Sequence, residues 1–128
     1  MVCLETTFLI DILKGDPGVK DIMNSLERNI LLPASPSVME LWSGALLADL
    51  PEKEKEKIGS LLESLAVLPL DEAAAKGAGE IEVSLLKKGE MIDVEDVMIA
   101  AIAITNGEKL VSRDPHYARV KNLRLEKY

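Results

Sequence analysis

Short apolar runs alternate along the chain with longer amphipathic stretches, the pattern of strands separated by helices. Val2 to Leu4 is apolar and opens onto Glu5-Thr6-Thr7, where a hydroxyl can cap the helix that Phe8, Leu9, Ile12 and Leu13 line and Gly15 ends. Asp16-Pro17 starts a second helix with Val19, Ile22, Met23 and Leu26 on one face, and Ile30 to Leu32 predicts a second strand. Ser35-Pro36 begins a helix that runs to about Ala48. Pro51 opens another, whose alternating Glu and Lys from Glu52 to Lys57 form a solvated, ion-paired face. Val67 and Leu68 predict a third strand, and Asp71 caps an Ala-rich helix that ends near Lys87, Lys88 and Gly89. Asp93 caps the most apolar helix, Val97 to Thr105, which closes on Asn106-Gly107. Leu110 to Ser112 follows as a fourth strand, Asp114-Pro115 as a short turn of helix, and Leu123 to Leu125 as the last strand. Short apolar strands separated by helices predict an α/β fold, a mostly parallel central sheet covered on both faces.

The length of 128 residues suits a single domain over residues 1–128. With 48% hydrophobic and 29% charged residues, the composition is that of a soluble chain able to close a core. A net charge of -7 excludes a protein that grips nucleic acid by whole-molecule attraction, so any such contact is local. The aromatics Phe8, Trp42, Tyr117 and Tyr128 are too scattered for base-stacking platforms. A lone Cys3 builds neither an internal disulfide nor a thiolate zinc cage, and reads as a small core residue in a reducing cytoplasm. The longest uncharged runs, Asn29 to Met39 and Val97 to Gly107, fall far short of a membrane span. The expected location is therefore cytoplasmic.

Most acids fall where a carboxylate costs little, and four stand at apolar or strand-end positions. Glu40 is the only charge between Ile30 and Ala48, in a helix expected to bury most of its surface. A carboxylate without a partner there loses hydration at a cost of several kcal/mol unless it binds a cation or takes a proton. Glu5 is the only charge from Met1 to Ile10 and stands at the carboxyl end of the first strand. Asp96 is the last charge before the uncharged run from Val97, and Asp114 lies just beyond the fourth strand. Ligand sites in open α/β sheets form outside the carboxyl ends of the strands, near a topological switch point. Four carboxylates gathered there repel one another unless a divalent cation holds them, and all-oxygen ligation selects Mg²⁺ or Mn²⁺. Simpler roles stand beside this one: Asp114 before Pro115 suits an N-cap, Asp96 suits a helix dipole, and Glu5 can merely precede a cap.

Together these positions resemble a known family. Val2-Cys3-Leu4-Glu5-Thr6-Thr7-Phe8-Leu9-Ile10-Asp11, the Glu40-Leu41-x-x-Gly44 element, Asp96-x-x-Ile99-Ala100-Ala101-x-Ala103 and Leu110-Val111-Ser112-Arg113-Asp114-Pro115-His116-Tyr117 are similar to the PIN domain, above all to VapC-type toxins of bacterial and archaeal toxin-antitoxin pairs. The resemblance implies a three-layer α/β/α, Rossmann-like fold and a Mg²⁺- or Mn²⁺-dependent endoribonuclease. It also implies a homodimer, an RNA substrate and a protein antitoxin as partner. By resemblance the metal-binding catalytic acids are Glu5, Glu40, Asp96 and Asp114, with the hydroxyls of Thr6 and Ser112 supporting them. One departure concerns Glu5, since the family's first acid is normally Asp; the longer side chain carries the carboxylate outward by one methylene. A catalytically impaired PIN-like domain that binds protein or RNA is the alternative. A phosphoacceptor domain fits less well, because neither Leu4-Glu5-Thr6 nor Val67-Leu68-Pro69 supplies its paired acids and nucleophilic Asp. Residues 109–128 hold six Lys and Arg against Asp114 and Glu126, which makes Arg113 and Arg119 candidates for contact with an RNA backbone. The apolar residues Ile22, Met23, Leu26, Leu46, Leu47, Leu61, Leu62 and Leu65 exceed what a small sheet covers, which independently predicts self-association.

Overall fold

Strands β1 (Val2–Leu4), β2 (Leu31–Pro33), β3 (Lys109–Val111) and β4 (Leu125–Glu126) form one parallel sheet in the order β2-β1-β3-β4. The computed structural model describes residues 1–26 and 30–128, with the side chain of Leu26 outside that description. Six helices cover the sheet: α1 (Thr6–Lys14), α2 (Pro17–Leu26), α3 (Ser35–Leu46), α4 (Pro51–Glu63), α5 (Glu72–Lys88) and α6 (Val94–Thr105). A 3₁₀ turn, Pro115–Arg119, follows β3.

The period of two along a strand sorts the core into two layers. Val2, Leu4 and Val111 face Phe8, Leu9, Val19, Ile22, Leu41, Ala45 and Ile58, contributed by α1 to α4. Cys3 and Leu110 face the opposite layer, built by α5, α6 and the 3₁₀ turn. Helix α6 is apolar almost all round and accordingly lies inside, with Val97, Ile99, Ala100 and Ile102 buried. Each large side chain among them is worth about 1.5–3 kcal/mol of transfer free energy. Helices α1 and α5 end on Gly15 (φ 69°) and Gly89 (φ 67°), left-handed positions where a side chain would be strained. Cys3 is the expected core residue, and burial pushes its thiol up to about 12. Among the described residues no helix is long and apolar enough to cross a membrane.

Several expectations need correction. Leu68 makes an isolated bridge to Ala34 instead of a third strand. Its N–H donates to Pro33 O and its carbonyl accepts from Ser35 N, both at 2.8 Å, but Pro69 has no donor to extend the ladder and Val67 stays exposed. The last strand sits later than its apolar residues suggested, because register pairs Leu110 with Leu125 and Val111 with Glu126. The α1 cap is the Glu5 carboxylate, accepting from Thr7 N–H at 2.9 Å, and not a threonine hydroxyl. Asp71 caps α5 as expected, accepting from Ala74 N–H, whereas the Asp93 side chain makes no cap hydrogen bond at α6. Helix α3 buries only a stripe, Ser37, Leu41 and Ala45 with Pro36, and exposes Met39, Trp42 and Leu46. Of the surplus apolar residues, Ile22, Met23, Leu61 and Leu62 pack into the α1–α4 layer, while Leu46 and Leu47 remain outside it.

Candidate active site

The chain turns from β1 to β2 on one side and later crosses to β3 on the other, so the switch point lies between β1 and β3. Their register sets Leu4 beside Val111, which brings Glu5 and Ser112 side by side at the carboxyl end. Glu5 N–H donates to Val111 O at 3.2 Å. The Glu5 carboxylate is buried, 3% exposed, and accepts from Ser112 Oγ at 3.1 Å, from Thr7 N and more distantly from Thr7 Oγ1. Ser112 Oγ in turn accepts from Asp114 N–H at 3.0 Å, which leaves its proton for Glu5. Burial pushes the Glu5 carboxyl up to about 7, against the pull of these hydrogen bonds and with a smaller push from Asp96. The extra methylene of Glu5 therefore ends in a filled hydrogen-bonding pocket.

Glu40 is half-buried on α3, and its Oε1 lies 2.8 Å from Thr6 Oγ1. Thr6 Oγ1 also lies 2.9 Å from Ser37 Oγ. A hydroxyl has one proton, so Thr6 gives it to the carboxylate and accepts from Ser37. Asp96, in the first turn of α6, accepts from the buried Tyr117 hydroxyl at 3.1 Å. Partial burial pushes the Asp96 carboxyl up to about 6, with repulsion from Asp114, Glu40 and Asp93 adding to it and the Tyr117 bond opposing it. Asp114 caps the 3₁₀ turn, accepting from His116 N–H at 2.9 Å, with His116 Nδ1 3.0 Å away. The cap reading of Asp114 is thus real and leaves its second oxygen without a protein donor among the described residues.

The two arginines have intramolecular partners. Arg113 reaches Asp11 at 3.1 Å and Asp16 at 3.5 Å, and its guanidinium lies over the Tyr128 ring, 4.7 Å from the centroid. Tyr128 closes this cluster by donating to Asp11 at 2.6 Å and meeting Phe8 edge-on. Arg119 donates to Met91 O at 3.0 Å. Lys109 pairs with Glu126 and Arg124 donates to Gly107 O, so four of the six basic residues after position 108 are engaged within the chain. Sequence reasoning missed Ser37, Asp11, Tyr117 and Tyr128 as members of these networks. The Ser37–Glu40 and Asp114–Tyr117 spacings of three, one helical face each, are the signals that could have found the first and third.

The arrangement suits a hard divalent cation by its chemistry: every donor is oxygen, and Asp96 feels repulsion that a cation would reverse. As placed, no three Asp, Glu, His or Cys side chains among the described residues close on one point to hold a metal. Beside Glu40 a groove opens between α1, α3 and α4, lined by apolar Ile10, Leu13, Leu41 and Ile58 and by charged Lys14, Glu54 and Lys57. The sequence features of the PIN domain run over residues 2–123. The chain belongs to the PIN-domain family. This PIN domain is 30% identical over 124 residues to the tRNA(fMet)-specific endonuclease VapC of Shigella flexneri, covering 96% of this chain and 94% of that protein. It is 31% identical over 128 residues to Ribonuclease VapC of Haemophilus influenzae, covering 98% and 96%. Among solved structures it superposes on DNA-bound VapBC from Salmonella typhimurium with a TM-score of 0.90 at 27% identity, over 99% of this chain and 98% of that one. On VapBC2 from Rickettsia felis, bound to a promoter DNA fragment, the TM-score is 0.91 at 24% identity, over 100% and 99%, a likeness of fold.

Proposed function

We propose that this PIN domain is a metal-dependent endoribonuclease, the toxin of a toxin-antitoxin pair, acting on RNA in the cytoplasm. The observation that carries the reading is the set of acids at the switch point of a chain whose relatives, matched over nearly their whole length, are named a tRNA(fMet)-specific endonuclease and a ribonuclease. Asp96, Asp114 and Glu40 would hold Mg²⁺ or Mn²⁺, with Glu5 behind them as the buried fourth acid. When bound, such an ion supplies an activated water and neutralises charge on the phosphodiester. Thr6 keeps Glu40 oriented and Ser112 keeps Glu5 oriented, so the chain's own part is to hold oxygen donors ready before the ion arrives. The impaired-domain alternative is not favoured, since all four acids are present and supported.

Incubating the protein with mixed-sequence RNA and with DNA of the same sequence, in Mn²⁺ and in chelator, tests the reading. Internal cleavage of RNA in Mn²⁺ alone is expected; inert RNA in Mn²⁺ would leave a binding module. A protein antitoxin fits the groove beside Glu40, where an apolar segment could lie across Ile10, Leu41 and Ile58 and cover the acid. Self-association is proposed through the exposed Met39, Trp42, Leu46, Leu47 and Leu50, an apolar rim on α3 and the turn after it. Sedimentation velocity over micromolar concentrations should show a dimer that Leu47→Asp converts to monomer. A wild-type monomer throughout would contradict it.

A further inference from the structure

We propose that Tyr117 is a positioning residue for Asp96, fixing which carboxylate oxygen is left for the metal and how far Asp96 stands from Asp114. The proposal rests on the metal-dependent nuclease reading. Tyr117 is 1% exposed, its ring lies in the α5–α6 layer, and its hydroxyl donates to Asp96 Oδ1 at 3.1 Å. A phenol buried so deeply must keep a partner, so the bond resists being broken when Asp96 turns. Oδ1 is thereby occupied, and no donor among the described residues reaches Oδ2.

Tyr117 sits on the same 3₁₀ turn that Asp114 caps, and that turn is fastened at both ends. Asp114 N–H is tied to Ser112 Oγ at 3.0 Å, and Arg119 is tied to Met91 O at 3.0 Å. The Tyr117 hydroxyl carries this fixed frame across to α6. Without it, Asp96 would be free to swing away from the like charges of Asp114 and Glu40 whenever no cation is bound, and each binding event would have to bring it back. Held by Tyr117, the acid waits in place, as outer partners of ligands do in other metal sites.

Manganese uptake by the whole chain, followed by the electron paramagnetic resonance of free Mn²⁺, tests this in wild type, Tyr117→Phe, Asp96→Asn and the double variant. Tyr117→Phe is expected to weaken Mn²⁺ binding about tenfold and to lower kcat with little change in KM for RNA. In the Asp96→Asn background the same change should add nothing further. Equal Mn²⁺ affinity in wild type and Tyr117→Phe, or an undiminished effect in the Asp96→Asn background, overturns the proposal and reduces Tyr117 to a packing residue. Wild type that takes up no Mn²⁺ overturns the metal reading with it. A second measurement needs no variant: in ¹³C-tyrosine-labelled wild type, saturating Mg²⁺ should shift the Tyr117 Cζ resonance and leave Tyr128, which donates to Asp11, in place. An unmoved Tyr117 resonance at saturation would sink the proposal independently.

Discussion

In chelator, the protein is expected to lose stability as the pH rises from about 5 to about 8. Burial raises the Glu5 carboxyl from 4.5 to about 7 in the folded chain, so between those values the folded state holds a proton that the unfolded chain has released. Stability contributed this way is fully present below 4.5 and is lost as pH climbs through about 7. At 1.36 kcal/mol per pKa unit the Glu5 contribution is about 3 kcal/mol, a large share of a small domain's total. Asp96, raised to about 6, acts in the same direction at lower pH and more weakly, because water screens it. Thermal melts across this range should slope downward for wild type, flatten for Glu5→Gln, and recover on adding Mn²⁺ at neutral pH. A melting temperature that rises from pH 5 to 8 in chelator would refute the account.

Asp96→Asn is expected to lower RNA cleavage about 100-fold or more while leaving the fold intact or firmer. The amide keeps an oxygen to accept from Tyr117, so the buried phenol is not stranded. It removes the charge that Asp114, Glu40 and Asp93 repel, which relieves the metal-free protein at neutral pH. Activity and stability should therefore move in opposite directions, the signature of a site that stores repulsion for a ligand to release. Cleavage rates in Mn²⁺ beside melts in chelator measure both. An Asn variant that cleaves as fast as wild type removes Asp96 from the chemistry, and one that is merely unfolded removes the argument about repulsion.

The acids were legible because a charge is costly in an apolar setting: Glu5 stands alone in its strand segment and Asp96 borders an uncharged helix, so their exceptional positions show in the sequence itself. Helix boundaries were legible where Gly15, Pro51, Asp71 and Gly89 mark them. What escaped depends on contacts distant in sequence. Whether Val67-Leu68 extends a ladder turns on Pro33 and Ala34 beside it and on Pro69 after it. Glu40 pointed to a buried helix, yet α3 buries one narrow stripe, since apolar content records affinity for a covering surface without saying whether that surface belongs to the same chain. Arg113 stands in the sequence as a candidate for contact with an RNA backbone, and the sequence carries no sign that Asp11, Asp16 and Tyr128, distant along the chain, surround it.

The pairing of β1 with both β2 and β3 also fixes when in the life of the molecule its chemistry can begin. Residues 2–4 find residues 31–33 early in synthesis, but their other neighbour is residues 109–111. A growing chain that already holds Glu5, Glu40 and Asp96 still lacks Ser112, Asp114 and the Tyr117 turn, and one side of its central strand is open. Completion waits on a contact between residues 107 apart in sequence, the kind that forms late because its loop-closure entropy must be met first. A chain assembled in that order has Glu5 and Asp96 before it has the Ser112 hydroxyl and the Tyr117 turn that hold them in place.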